Sequence, residues 1–513
     1  MQQGWVTDLF RELGTRQAKS TQLIDQLRTV DAGAHVFWPF QAVPFPILVK
    51  EASGCRITDA DDNTYLDCHM SYSAQALHGH NPAPVVDYVK ERLGKGTGNG
   101  YTNPLELELA QLLKGMLPHC EKFVFHHSGG DATHSAIRFS RAFTKRRKVA
   151  KFEGALHGSH DLAVQNTAFW YHGQPAMPFP KLGPDGVGLQ SAFAGVSVRP
   201  EDLLILPNDT AAAIELIERH ADELACVLVE PAASSFPFED VTIPMIREVG
   251  LAARRRGVLF ILDEVLTGFR SGIGGVAQRY DITADLYTYG KVISGLGIPL
   301  SAIGGRADIL DATQTSGQSW TDYGQKTAVQ SSHTSNYLAL AASFATLSLQ
   351  RDKGDQYYVD LRSRIASVQD RLAAFRAEHD IPLRLIGFAD FIGCFQFLPK
   401  DTYTDYREFA RAMNPALFLL TLLLRKRNVF TLGAPMFFAG GAHSQSDVDQ
   451  LITAVTDSAL EMKRNGFPFD LHWPETPAWS GDSSWSGSGD SSWSGSGDAA
   501  QSWSGDAAKS WNS

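Results

Sequence analysis

The chain has 513 residues, of which 43% are hydrophobic and 20% charged, the balance of an ordinary globular protein with ample material for a large core. Its formal net charge of −10 argues against a polyanionic partner, so no nucleic-acid role is expected, and the short basic run Lys145 to Lys148 reads as a solvated turn. No apolar run approaches the 18 residues that a membrane-spanning helix needs, and no membrane partner is expected.

The opening "MQQGWVTDLFRELGTRQ" has no basic start followed by an apolar stretch, so it does not read as a signal peptide. Residues 1–30 read as amphipathic helix, and Val43 to Asp67 as extended segments broken by a turn at "DADDN". "NPLELELAQLLKGML" has helical spacing behind an Asn-Pro start. "KFVFHHSGG" reads as a strand running into a glycine turn, and "DATHSAIRFSRAF" as the helix that follows. "ACVLVEP" and "GVLFILDEV" are continuous apolar runs without alternation, the pattern of strands buried on both faces of a mostly parallel sheet. "IREVGLAARRRG" between them is a helix closed by glycine.

After Asn336 the pattern becomes long helices with few strands. "LIGFADFIGCFQFL" reads as one strand-like stretch, and "SQSDVDQLITAVTDSALEMKRN" as a last amphipathic helix. From about Trp473 the chain collapses to Trp, Ser, Gly and Asp, a composition expected to be disordered, with docking through its tryptophans as the sharper alternative. The expected organisation is an N-terminal segment (1–95), a large α/β domain (96–335), a smaller α+β domain (336–468) and the tail (469–513). The five cysteines are scattered without a CxxC pair, which fits a reducing cytoplasm. The histidine pairs lack a third ligand, so no metal is expected.

Three elements of the α/β region carry chemistry. Lys291 sits in "LYTYGKVISG", with no carboxylate within five residues on either side. Asp263 closes an apolar strand, where a carboxylate reaches the ligand crevice of an open α/β sheet. Ser128, Gly129 and Gly130 stand between a strand and a helix, where backbone N–H groups can hold a phosphate. A phosphate clamp, an acid for a ring nitrogen and a lysine in apolar surroundings are the needs of pyridoxal phosphate. Burial lowers the lysine pKa, so the free amine can attack a carbonyl.

In order along residues 40–460, "HSGGDATHSAIRFSRAFT", "KVAKFEGALHGSHD", "VLVEPAA", "FILDEVLTGFR", "ADLYTYGKVISGLGIPLSAIGGRADIL" and "SNYLALAA" resemble the class III aminotransferases of fold type I. Within that family the glutamate-1-semialdehyde aminomutase branch is the nearest. The resemblance implies a large domain with a mostly parallel seven-stranded sheet flanked by helices, plus a smaller α+β domain. It implies pyridoxal 5'-phosphate as cofactor, Lys291 as the Schiff-base lysine and Asp263 at the pyridine nitrogen. Ser128, Gly129 and Gly130 go to the phosphate, Val265 packs on the ring, Glu230 begins the turn beside the site, and Leu156 and His157 match the family's aromatic-His-Gly turn. Thr334 or Ser332 would reach the phosphate of a neighbouring subunit in a homodimer with shared active sites.

Several residues depart from the family pattern. Leu156 replaces the stacking aromatic residue, His127 an asparagine, and Asp131 a glutamate. No arginine stands at either position where the family binds a substrate carboxylate. Trp38, Phe40, Tyr72 and Phe437 are the expected pocket walls. The reading is an aminotransferase using a small-molecule amine donor and a carbonyl acceptor with an apolar or aromatic part, of the kind met in secondary metabolism. An aminomutase is the alternative and a racemase the third. A non-catalytic binding protein would not need the intact lysine and aspartate, and "SGLGIPLSAIGG" does not fit a dinucleotide fingerprint.

Overall fold

Strands stack side by side wherever the apolar runs are continuous. In a computed structural model that describes residues 3–31, 45–96, 101–167, 182–190, 195–232, 236–314, 322, 326–329, 331–334, 336–388, 392–414, 417–431, 433 and 435–471, the strands are β1 (Val49–Ser53), β2 (Arg56–Asp59), β3 (Thr64–Asp67), β4 (Lys122–His126), β5 (Lys148–Phe152), β6 (Leu182–Gly183), β7 (Gly186–Val187), β8 (Leu203–Leu206), β9 (Leu224–Val229), β10 (Leu259–Glu264), β11 (Leu286–Tyr289), β12 (Ser301–Gly305), β13 (Leu383–Ile386), β14 (Ile392–Phe397), β15 (Val429–Phe430) and β16 (Met436–Phe438).

A seven-stranded sheet runs in the order β4-β12-β11-β10-β9-β5-β8. β12 is antiparallel to both neighbours, β4 and β11, and the other pairings described are parallel. β8, β9 and β10 are buried at every position, so both faces of these strands are covered and the sequence has no need to alternate. The two apolar layers are separate clusters, one containing Phe260 and Leu262, the other Leu259 and Ile261. This is the α/β, fold type I architecture expected from the sequence.

Helices follow their capping signals. Asn103 caps helix Pro104–Met116 in a reciprocal box with Glu106, and Ser444 does the same with Asp447 for helix Gln445–Arg464. The glycine turn expected after β4 is instead the first turn of helix Gly129–Thr144, because Ser128 and Asp131 form a capping box that pulls both glycines into the helix. The first 30 residues form two helices, Gln3–Arg16 and Ala18–Leu27. The long helical stretch after Asn336 also divides in two, at Gly354 with φ 61°. "LIGFADFIGCFQFL" holds two strands, β13 and β14, which pair antiparallel; their short apolar runs hid the turn. β1, β2 and β3 form a meander that β15 joins in parallel, so residues more than 360 positions apart share one sheet. Among the described residues, no helix is long and apolar enough to cross a membrane. The tryptophan-rich tail and its docking role lie outside the described residues.

Candidate active site

The parallel strands deliver their C-terminal ends to one edge of the sheet. Asp263 in β10 pairs in register with Thr288 of β11, and Lys291 follows two residues after β11 ends. Val229, at the end of β9, pairs with Leu262, which brings Glu230 level with Asp263. The carboxylate and the lysine, 28 residues apart in sequence, thus lie on adjacent strand ends, where open α/β sheets bind ligands.

Asp263 is buried and well held. Its Oδ2 accepts from His157 Nδ1 at 2.7 Å, and its Oδ1 accepts from Thr288 Oγ1 at 2.8 Å and from the Val265 backbone N–H at 3.1 Å. Burial lowers the His157 pKa against the opposing pull of Asp263, so the ring is neutral, with its proton on Nδ1. Its Nε2 is buried and has no partner among the described residues. Lys291 opens a short 3₁₀ turn with φ 48°, a left-handed conformation unusual for a lysine. Its ammonium makes no hydrogen bond among the described residues. Burial lowers its pKa, Asp263 and Glu230 oppose that shift, and Arg270 adds to it.

Around this pair the backbone is packed too closely for side chains. A Cβ on Gly129 would lie 2.6 Å from Val265 Cγ1, and one on Gly290 would lie 2.9 Å from the same atom. On Gly158, where φ is 117°, a Cβ would meet Gly130 Cα at 2.5 Å. Three turns therefore close on one another with Val265 between two of them. Ser128 Oγ accepts from the Asp131 N–H at 3.2 Å and donates to Asp131 Oδ2 at 2.9 Å. The helix that begins at Gly129 aims its N-terminal dipole at the same edge. The Leu156 N–H donates to Glu230 Oε1 at 2.9 Å. A dinegative phosphate at the helix start, a ring nitrogen at Asp263 and an aldehyde carbon at Lys291 would each meet a matched partner, so the residues present fit pyridoxal phosphate.

The family profile "Aminotransferase class-III" matches residues 38–393. The chain belongs to the class III aminotransferases. Pyridoxal phosphate is the cofactor of this family member. The chain is 30% identical over 463 residues to the glutamate-1-semialdehyde 2,1-aminomutase of Methanocella arvoryzae, covering 87% of this chain and all of that protein. It is 31% identical over 429 residues to the protein of the same name from Methylacidiphilum infernorum, covering 82% and 92%. Its fold is similar to that of an omega-transaminase from Sphaerobacter thermophilus, with TM-score 0.77 and 25% identity over 89% of this chain and 99% of that one. A glutamate-1-semialdehyde aminomutase from Pseudomonas aeruginosa PAO1 shares the fold at TM-score 0.73 and 22% identity, over 89% and 97%.

The candidate pocket residues fall in different places in this class III family member. Tyr72 is exposed and its ring meets His69 edge-on at 4.2 Å. Phe437 is buried and packs against His443 at 5.3 Å, while its neighbour Phe438 faces His69 at 6.0 Å. Trp38 and Phe40 lie outside the described residues. Thr334 Oγ1 accepts from the Ser331 N–H at 2.9 Å, and Ser331 Oγ bonds His127 Nε2 at 2.5 Å. Ser332 belongs to the same turn, so this segment lies beside the phosphate turn of its own chain.

Four participants escaped sequence reasoning. Glu264 is fully buried and anchors the glycine-rich loop, accepting from Thr267 Oγ1 at 2.5 Å and from the N–H groups of Val276 and Ala277 at 3.1 and 2.7 Å. Burial pushes its carboxyl up to about 7. Arg270, 2% exposed, donates to the carbonyls of Ser73 at 3.3 Å and Ala439 at 2.9 Å, and to the Ser73 hydroxyl. It thereby anchors Ser73, the last of four consecutive residues, Met70 to Ser73, with φ between 50° and 76°. Glu264 and Arg270 were visible as the E and final R of "DEVLTGFR", but nothing in the spacing gave their partners. His69 lies buried among Tyr72, Phe430 and Phe438, close enough to Lys291 for the two charges to interact, and burial lowers its pKa to about 4. Lys151 is the fourth.

Proposed function

We propose that the chain moves an amino group from a small amine donor to a ketone or aldehyde acceptor that carries an apolar or aromatic part. The observation that carries this reading is the cluster of rings formed by His69, Tyr72 and Phe438, with Lys291 close enough to His69 for an electrostatic interaction. A neutral imidazole and two aromatic rings favour a flat apolar group over a bare carboxylate, which needs paired donors. Such a substrate fits an intermediate of secondary metabolism, and five buried free cysteines fit a reducing cytoplasm.

Bound pyridoxal phosphate supplies an electron sink for the carbon that loses its proton. The protein supplies the rest. Asp263 would face a ring nitrogen, held by Thr288 and the Val265 N–H on one oxygen and His157 on the other. Lys291, its pKa lowered by burial, would hold the cofactor through its amine and would carry the proton between adjacent substrate carbons. Val265 and Leu156 would flank the ring from the turns that carry them, and the N-terminus of helix Gly129–Thr144 would receive the phosphate.

The test compares 4-aminobutyrate and glutamate semialdehyde with aromatic and long-chain amines or ketones at equal concentration. Burying one ring is worth roughly 1.5–3 kcal/mol, so we expect kcat/KM for the apolar compounds to be at least tenfold higher. Higher kcat/KM for the small charged compounds would reject the pocket reading. The second reading, an intramolecular aminomutase, is favoured by the names of the relatives at 30% identity. Stable accumulation of pyridoxamine phosphate after a donor alone distinguishes transfer from mutase chemistry.

We further propose a homodimer, with Ser332 or Thr334 reaching the partner's cofactor phosphate. Its support is membership of the class III family; within one chain the Ser331–Thr334 turn lies against His127. Light scattering at assay concentration is expected to give twice the chain mass; a fully active monomer would refute the shared site.

A further inference from the structure

A buried cation stands next to the loop that carries Leu156 and His157. Lys151 lies in β5 and is 1% exposed. Its Nζ donates to the carbonyls of Ala155, Ala163 and Gln165, each at 2.7 Å, and lies 3.4 Å from Thr167 Oγ1. Those carbonyls belong to one loop that leaves β5 and returns upon itself. The Gly154 N–H donates to Asn166 O at 2.8 Å, Gly154 and Thr167 form a β-bridge, and Thr167 Oγ1 donates to Ala155 O at 2.9 Å. The ammonium sits at the hub of this closed loop and satisfies carbonyls turned away from water.

The outer side of the same loop makes contacts across the active site. The Leu156 N–H reaches Glu230, and the His157 ring reaches Asp263. Thr133 Oγ1 donates to His157 O at 2.5 Å, and Gly158 closes on Gly130. Ring face, ring-nitrogen partner and phosphate turn thus hang from one loop with one hub. A cation buried this deeply is costly unless its hydrogen bonds are good, and three short charge-assisted bonds meet that condition. Burial lowers the Lys151 pKa to about 7, with Glu230 opposing, and its charge also disfavours protonation of His157.

We propose that Lys151 is a positioning residue: its ammonium fixes Leu156, His157 and Gly158 against Glu230, Asp263 and Gly130, and so sets the orientation of the cofactor ring. Methionine at 151 keeps the length of the side chain but donates nothing, so three inward carbonyls lose their charged donor and the single Thr167 hydroxyl proton can serve only one of them at a time. The experiment compares the full-length holoenzyme with Lys151→Met and with a control, Leu372→Ala. Leu372 is fully buried in helix Gln356–His379, which carries none of the site residues. Both variants are expected to melt at lower temperature. Only Lys151→Met should lose the visible circular-dichroism band of the bound cofactor, which reports ring orientation, and its turnover should fall about a hundredfold. If Lys151→Met retains the band and the turnover of the control, the proposal is wrong. Should Lys151→Met fail to fold, Thr167→Val loosens the same hub more gently. A weakened band in that variant supports the proposal and an unchanged band overturns it.

Discussion

Replacing Lys291 by alanine is expected to lower turnover by at least about 10⁴-fold, while pyridoxal phosphate still binds without a covalent bond. The glycine turns around Val265, the helix start at Gly129 and the Asp263 carboxylate all survive the substitution. Two lysines whose pKa values are lowered by their surroundings make the experiment discriminating. Lys151 has its hydrogens committed to three carbonyls, whereas Lys291 makes no hydrogen bond among the described residues. Borohydride treatment of the holoenzyme followed by peptide mapping should place the adduct on Lys291. An adduct on Lys151, or none, would sink the assignment. Because burial holds Lys291 below the ordinary lysine value, the apoenzyme should also capture the cofactor covalently at a pH where a surface lysine is too protonated to do so.

Asp263→Asn comes next in size. Asparagine keeps the shape of the carboxylate and can accept from His157 or Thr288, but it removes the charge that a protonated ring nitrogen requires. We expect turnover to fall by roughly 10³-fold, with little change in melting temperature because the packing is retained. Steady-state kinetics together with the absorbance of the bound cofactor check this. Activity within tenfold of the wild type would show that Asp263 does not hold the ring nitrogen.

The chemistry was legible where it depends on residue type and local context. Lys291 stood out by the absence of nearby carboxylates in sequence, Asp263 by ending an apolar strand, and the phosphate turn by its place between a strand and a helix. The parallel sheet was legible too, since strands buried on both faces have nothing to alternate. What could not be read depends on distant partners. Glu264 closes a loop 12 and 13 residues later through backbone N–H groups, which carry no sequence signature. Lys151 binds carbonyls, and carbonyls are present at every residue. β15 reaches β3 across most of the chain, a pairing that two residues of strand cannot announce. The division of the helical stretch at Gly354 was missed too, although glycine is a common helix stop.

The run Met70–Ser73 bears on how this protein could be altered. Non-glycine residues in the left-handed region cost about 1 kcal/mol or more each. Glycine at Ser71 would relieve that cost, and a search for thermostable variants should find it. Yet the same strain, gripped by Arg270, gives Tyr72 a single direction in which to face. A glycine there would free the segment to wander, so the hardier enzyme should be the less discriminating one. Robustness and selectivity are opposed at this one turn, and any programme of improvement has to choose between them.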